Sequence, residues 1–313
     1  MNALKIVFFG NPDFCIPSLI KLDLSKHNII SIITNVDRKS GRGLKFKSSP
    51  VKDKGKKLGL PIIEFDGNNW QDINTSLKQL NPDIFVVIAF SIIPEIILNI
   101  PKHGSLNIHP SLLPKYRGAS PIQYALLNGE KTSGVSIINL NNKIDSGNIL
   151  GQEKISIKID DTYGNLHDKL SVIGADLLLK VVNIISKGKA KPISQNNLNR
   201  TFAPKIKKED LLINWKNSSI IIHNQIRSFD PLPGAFCYID NKRLKLFGSK
   251  FIKNLKNIDK LNETGHFLVI DNTFIIKCNS GLLSVKYVQL EGKKKNNSID
   301  FYNNLQNKNL YLE

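Results

Sequence analysis

Short apolar runs alternate with helical or loop stretches through the first half of the chain. Six of these runs have the length and residue types of buried strands: Lys5–Phe9, Ile29–Thr34, Ile62–Phe65, Ile84–Ala89, Ser105–Ile108 and Val135–Leu140. Strands that alternate with crossover segments are typical of a βα arrangement. The pattern therefore predicts an α/β fold with a doubly wound, mostly parallel sheet.

Two segments of the same half have helical periodicity. Between Pro12 and Lys26 the apolar residues fit one face of a helix, with Pro17 near the first turn, where its missing N–H is tolerated. From Thr162 to Ile185 apolar residues recur every three or four positions. The chain is thus predicted to open as strand, turn and helix.

The last third of the chain has a different pattern. Residues 190–208 lack periodicity, which predicts a linker, and Ile220–Arg227 fits a short helix. Five short strands with turn residues between them follow: Phe236–Ile239, Arg243–Phe247, Gly265–Ile270, Thr273–Cys278 and Leu282–Val288. We expect a first domain over 1–189, a basic linker over 190–208 and a second, smaller β-barrel domain over 209–313.

Length and composition narrow the class of protein. A chain of 313 residues suits two domains, and its apolar runs fall short of the roughly 18 residues that span a bilayer. The chain opens without the pattern of a secretory signal, so we expect a cytoplasmic protein with no membrane contact. Cys15, Cys237 and Cys278 are far apart, which indicates neither disulfides nor a metal site.

The charge is strongly positive. Lys and Arg number 44 against 26 Asp and Glu, a net +18, and the excess is densest after residue 190. Such an excess favours an anionic partner such as RNA, although lysines that only keep the surface solvated are an alternative.

Two segments concentrate the positive charge. Residues 37–57 carry nine basic residues against two acidic ones, with Phe46 as a candidate stacking surface, and we interpret them as a loop able to enter an RNA groove. The second segment, 187–208, would follow phosphates between the domains.

The lack of two glycine motifs argues against two classes of nucleotide-binding protein. Gly10 stands at the first strand-to-helix turn without the further glycines of a dinucleotide fingerprint. No Walker A sequence occurs either. NAD or FAD binding and nucleoside triphosphate hydrolysis are therefore disfavoured.

The densest group of reactive side chains lies at the end of a predicted strand. Asn107 and His109 are two residues apart, so both would face one side of the sheet at its carboxyl end, where open α/β folds bind ligands. Pro110 ends the strand, and residues 111–118 would form a loop over the site. An imidazole beside an amide suits acyl transfer, although a structural histidine is the commoner case for a single His at a strand end.

A second group, Asp145-Ser146-Gly147, follows the strand that ends at Leu140. By itself the sequence is typical of an ordinary turn. If it lies across from His109, its carboxylate would orient the imidazole and raise its pKa, or share a water molecule with it.

The run 107–118, together with 119–123, 134–137 and 145–147, resembles the folate-dependent formyltransferase family. The resemblance implies that Asn107, His109 and Asp145 are catalytic and that no metal is required. It also suggests that the formyl donor 10-formyltetrahydrofolate, which would act as a co-substrate, lies against the loop residues Ser111, Leu112, Leu113 and Pro114.

Within that family, residues 9–14, residues 37–52 and the basic C-terminal region resemble the members that formylate methionyl initiator transfer RNA. The resemblance implies an OB-like second domain, a monomer and a role in translation initiation. Its candidate RNA contacts are Arg38, Arg42, Lys45, Lys47, Lys205, Lys207 and Lys208. Pro110 and Phe90-Ser91 depart from the common pattern of those members.

Two alternatives remain open at this point. The acceptor could be a small amine such as glycinamide ribonucleotide, but the basic C-terminal domain would then be unexplained. A catalytically inactive RNA-binding relative is the other alternative, and the intact trio of Asn, His and Asp argues against it.

Overall fold

The computed structural model describes residues 3–40, 45–252, 263–306 and 311–313, with the backbone alone at 39, 40 and 45. The chain divides into two compact units. The first contains 1–121, 133–155 and 167–203, and the second contains 122–132, 156–166 and 204–313.

The first unit is built on a seven-stranded sheet. The strands up to residue 156 are β1 (Lys5–Gly10), β2 (Asn28–Asn35), β3 (Arg38–Ser40), β4 (Lys45–Lys47), β5 (Ile62–Phe65), β6 (Ile84–Ile88), β7 (Ser105–His109), β8 (Thr132–Asn139) and β9 (Ile149–Ser156). The sheet order is β5-β2-β1-β6-β7-β8-β9, while β3 and β4 form a separate hairpin. Parallel pairs join β5 to β2, β2 to β1, β1 to β6 and β6 to β7, and β7 pairs antiparallel with β8.

Helices cover both faces of this sheet. They are α1 (Ile16–Asp23), α2 (Pro50–Lys57), α3 (Trp70–Leu80), α4 (Glu95–Leu98) and α6 (Tyr163–Ile185), whereas α5 (Pro121–Leu127) belongs to the second unit from residue 122 onward. Phe9 and Val87 pack with Ile73 of α3, whereas Gly174 of α6 lies against Ile108 on the other face. The prediction of a doubly wound, mostly parallel sheet is confirmed, and so is the long helix up to Ile185.

The order of the strands reverses between β1 and β6. From β1 the chain proceeds outward through β2 and β5, and from β6 it proceeds the other way through β7. In open α/β sheets the crevice beyond the carboxyl ends of such strands is where ligands bind. The end of β7, at His109, lies on this edge.

The basic segment 37–57 is not one loop, and the prediction is wrong from Pro50 onward. Ser49 caps α2 by accepting a hydrogen bond from the Lys52 backbone N–H, and Pro50 occupies its first turn. The Lys52 side chain is buried, with Nζ 2.7 Å from Asp37 and 2.9 Å from Glu64. Its ammonium group is therefore paired with two carboxylates of the same unit.

The predicted linker is divided between the two units. Residues 190–203 belong to the first, where Ile193 forms a β-bridge with Ile149. Arg117 N–H donates to the Thr201 carbonyl, and Ala203 N–H donates to the Arg117 carbonyl. Residues 204–208 belong to the second unit.

The second unit contains an antiparallel sheet curled into a half-barrel. Its strands are β10 (Phe236–Ile239), β11 (Lys242–Ile252), β12 (Phe267–Ile270), β13 (Thr273–Lys277), β14 (Leu282–Leu290) and β15 (Asn296–Asn297), with helices α7 (Ser219–Ser228) and α8 (Ser298–Asn303). Its order is β10-β11-β14-β13-β12, and β15 pairs with β14. Trp215, Phe229 and Phe267 lie in its core. The predicted helix and five strands are all present.

No helix among the described residues is long and apolar enough to cross a membrane.

Candidate functional site

Asn107 lies on β7 beside the end of β6. The two strands pair with Val87 opposite Asn107, and the amide Nδ2 of Asn107 donates to the Val87 carbonyl oxygen at 3.1 Å. Because a carbonyl oxygen can only accept, this bond fixes which end of the amide faces β6. The side chain is half-buried.

His109, two residues further along β7, is 4% exposed. Its Nε2 lies 2.8 Å from the Tyr116 carbonyl oxygen, so Nε2 carries the hydrogen of the neutral ring. Its Nδ1 faces Asp145, with 3.6 Å between Nδ1 and Oδ2. The structure therefore brings this histidine and this carboxylate together.

Burial lowers the pKa of His109 below its ordinary value. The Asp145 carboxylate and the Tyr116 carbonyl act in the opposite direction, and Arg117 lowers the pKa further. The ring is thus neutral at neutral pH, and a proton would enter at Nδ1, on the side of Asp145.

Asp145 is held in an unusual backbone conformation. Its φ is 47°, in the left-handed region, and its Oδ2 accepts a hydrogen bond of 2.8 Å from the Gly118 backbone N–H. At Gly147 any Cβ would overlap the Asn139 carbonyl oxygen, so only glycine fits there. The carboxylate therefore points to His109 and Gly118 rather than capping its own turn.

The loop after His109 is tied down by hydrogen bonds. Ser111 Oγ donates to the Lys115 carbonyl at 2.6 Å, and Gln152 Nε2 donates to the Leu113 carbonyl at 2.9 Å. Of the predicted folate-side residues, Ser111 and Leu113 are buried, and Leu112 and Pro114 are half-buried. These hydrogen bonds hold the conformation of the loop that follows the histidine.

A side chain from the predicted linker completes the site, and sequence reasoning missed it. Gln195 Nε2 donates to the carbonyl oxygens of Asp145, at 2.8 Å, and Gly147, at 2.7 Å. Its Oε1 accepts from Arg117 Nε and Nη2, at 3.1 and 2.7 Å. Fifty positions separate Gln195 from Asp145 in an aperiodic segment, so no local sequence signal marks the contact.

The predicted RNA contacts fall in both units. In the first unit, Arg38 and Lys47 are exposed opposite each other on the β3–β4 hairpin, next to an exposed Phe46. Arg42 lies outside the described residues, and the side chain of Lys45 is likewise not described. Lys205, Lys207 and Lys208 are exposed on the second unit.

Within the described ranges no three His, Cys, Asp or Glu side chains are grouped as metal ligands would be.

Known proteins resemble the chain over almost its whole length. The sequence model of the formyl transferase family matches residues 4–182, and that of the formyl transferase C-terminal domain matches residues 205–306. Methionyl-tRNA formyltransferase of Geobacter metallireducens is 36% identical over 303 residues, which are 96% of each chain.

Two solved structures show how far the fold is shared. The sugar 3N-formyl transferase WlaRD, solved in the presence of dTDP and 5-N-formyl-THF, has a TM-score of 0.66 at 25% identity, over 94% of this chain and 100% of its own. Glycinamide ribonucleotide transformylase 1 of Symbiobacterium toebii has a TM-score of 0.52 at 14% identity and covers 61% of this chain and 95% of its own.

Proposed function

The chain belongs to the formyl transferase family, and from that premise we propose that it formylates the α-amine of methionyl initiator transfer RNA with 10-formyltetrahydrofolate as donor. The observation that carries the proposal is the match to methionyl-tRNA formyltransferases over 96% of the chain, both domains included. The glycinamide ribonucleotide enzyme leaves more than a third of the chain unmatched. The reaction would serve translation initiation in the cytoplasm.

The catalytic assignment is supported by the geometry at the end of β7. The α-amine nitrogen attacks the formyl carbon, a carbon–nitrogen bond forms, and the carbonyl oxygen becomes an oxyanion that requires a nearby donor. One N–H of Asn107 is bonded to Val87, and the other N–H of the same amide is our candidate donor.

The proton follows a path through the buried pair. His109 starts neutral, and its Nδ1 takes the proton that the attacking amine releases, directly or through water, beside Asp145. The imidazolium formed in this way stabilises the oxyanion alongside Asn107. When the bond between the formyl carbon and the folate nitrogen breaks, that proton passes to the folate nitrogen.

The donor would lie against the loop after His109, with Ser111, Leu112, Leu113 and Pro114 shaping its side of the site. The related WlaRD structure was solved in the presence of 5-N-formyl-THF, which supports a reduced folate as the donor class. No metal is required by this mechanism, because the Asn, His and Asp groups supply the oxyanion donor and the proton path.

The acceptor RNA would be bound by exposed basic residues. We assign Arg38, Arg42, Lys45 and Lys47 to the acceptor stem, and Lys205, Lys207 and Lys208 to phosphates. The net charge of +18 supports an RNA substrate. We propose a monomer.

The test is a formyl-transfer assay with three acceptors and 10-formyltetrahydrofolate. Methionyl initiator transfer RNA should be formylated, whereas methionyl elongator transfer RNA and glycinamide ribonucleotide should react far more slowly. Preferential formylation of glycinamide ribonucleotide would overturn the proposed acceptor. Binding of transfer RNA without turnover would support the inactive relative instead.

A further inference from the structure

Gln195 joins the turn that carries Asp145 to a buried arginine. Its amide nitrogen donates both of its hydrogens to backbone carbonyls two residues apart, those of Asp145 and Gly147. Its amide oxygen accepts two hydrogen bonds from Arg117. All four hydrogen bonds lie within the first unit.

The orientation of this amide is unambiguous. Carbonyl oxygens can only accept and a guanidinium can only donate, so the nitrogen of Gln195 must face the turn and the oxygen must face Arg117. A side chain of this length with both groups is needed to satisfy the two sides together.

The contact also determines where the charge of Arg117 is directed. Arg117 is 6% exposed, and its Nη2 bonds both Gln195 and Asn197, at 2.7 and 2.9 Å. Asp145 is the carboxylate whose charge acts on this guanidinium. A buried guanidinium left without acceptors is costly, which favours its pairing with a carboxylate whose charge already acts on it. By occupying Arg117, Gln195 leaves the Asp145 carboxylate to Gly118 and His109.

We propose that Gln195 is a positioning residue for the proposed formyl transfer, and that it acts by holding Asp145 in place against Nδ1 of His109. The inference rests on the proposed function for its kinetic consequence only. Its structural consequence can be measured in the unliganded protein, whatever reaction the protein catalyses.

The diagnostic variant is Gln195→Ala. It removes both hydrogen bonds to the turn and frees Arg117 to pair with Asp145. The groups with charge that face His109 are Asp145 and Arg117, the first of which raises its pKa and the second of which lowers it. If Asp145 shifts toward Arg117, its carboxylate raises the pKa of His109 by less than before. The pKa of His109 should therefore fall.

The matched control is Gln225→Ala in the second unit. Gln225 Nε2 likewise donates to two carbonyls two residues apart, those of Asp210 and Leu212, each at 2.9 Å. This variant loses an equivalent pair of hydrogen bonds, so it measures the general cost of removing such a bridge.

The experiment is a ¹⁵N NMR titration of the histidine rings in the full chain, with the His109 signals assigned by their loss in His109→Ala. Gln195→Ala should lower the pKa of His109, and Gln225→Ala should leave it unchanged. A merely structural bridge would lower thermal stability in both variants and shift the pKa in neither. An unchanged His109 pKa in Gln195→Ala would overturn the proposal.

The kinetic part of the test measures kcat with methionyl initiator transfer RNA as acceptor. Gln195→Ala should lower kcat by roughly 10- to 100-fold, because small misplacements of a reacting group have costs of that order. Retention of wild-type kcat despite a lowered pKa would also reject the positioning role. If the wild-type chain transfers no formyl group, the proposed function fails, while the titration still decides whether Gln195 positions the pair.

Discussion

The neutral ring of His109 presents a lone pair, not a proton, to the Asp145 carboxylate. The Nε2–H group is bonded to the Tyr116 carbonyl. The other ring nitrogen, Nδ1, lies 3.6 Å from Oδ2 of Asp145 and is therefore the atom that takes up a proton during the reaction. Burial keeps that proton away beforehand by lowering the pKa of the ring. The pair is therefore set up as a proton acceptor in the resting state.

We expect His109→Ala and Asp145→Asn each to lower kcat by roughly 10²- to 10⁴-fold, because each removes a positioned proton-transfer or charge-stabilising group. The measurement is turnover at saturating substrates, with circular dichroism to show that the fold is retained. Retention of more than about a third of wild-type turnover by either folded variant would remove that residue from the catalytic assignment.

Gly147→Ala should displace the Asp145 turn, because the new Cβ overlaps the Asn139 carbonyl oxygen and backbone has to move. We expect a loss of about 1–3 kcal/mol in the free energy of unfolding, together with a fall in kcat. Gly188→Ala is the control. The φ of 66° at that position would strain an alanine, but the added Cβ would meet no other atom. Equal losses in urea unfolding and no change in kcat would show that the clash is relieved without moving the turn.

At the scale of single residues, sequence identified those groups whose neighbours in the chain explain them. Asn107 and His109 share a strand, and their place at its carboxyl end, the end at which open α/β sheets bind ligands, was predicted from the sequence. Arg117 and Gln195 could not be predicted, because their contact depends on the path of an aperiodic segment back across the first unit. A hydrogen bond between polar residues that are far apart in the sequence produces no periodic pattern in it.

Among the elements, the basic segment 37–57 shows why net charge alone is a poor guide to an RNA contact. Lys52 forms ion pairs with Asp37 and Glu64, and its ammonium group holds the pKa of the Asp37 carboxyl below its ordinary value. Arg38 and Lys47 instead stand exposed across the hairpin from each other. The element, and not the count of basic residues, decides which charges can reach phosphate.

The double variant Arg38→Ala and Lys47→Ala should raise KM for methionyl transfer RNA and flatten its salt dependence, since each lost phosphate contact reduces the log–log slope by about 0.9. The control is Lys56→Ala with Lys57→Ala, which removes two exposed charges from α2. An equal effect of both pairs on KM across salt concentrations would mean that overall charge, and not the hairpin, binds the RNA.

Across the whole molecule, the sequence predicted both sheets but not the division of the chain between the units. Residues 156–166 precede the linker, yet they belong to the second unit, where Arg227 Nη1 donates to the Lys158 carbonyl and His223 Nε2 bonds the Ile159 carbonyl. Periodicity locates strands and helices. It carries no information on which core a connecting segment joins.

Three buried histidines should make the stability of the protein fall in mild acid. His27, His109 and His223 are 3%, 4% and 1% exposed, and burial lowers the pKa of each. The unfolded chain binds these protons at about pH 6.5 and the folded chain only at lower pH. Their stabilisation is therefore complete above about pH 6.5 and is lost as pH falls through the folded values.

Each such histidine contributes a slope of up to about 1.4 kcal/mol per pH unit. The lowered pKa values of Asp37 and Asp66 act only below about pH 4, outside this window. We therefore expect the free energy of unfolding in urea to fall between about pH 6.5 and pH 5, and His223→Gln to reduce the slope by up to one histidine's share. A slope unchanged by His223→Gln would show that His223 binds its proton equally in the folded and unfolded chain.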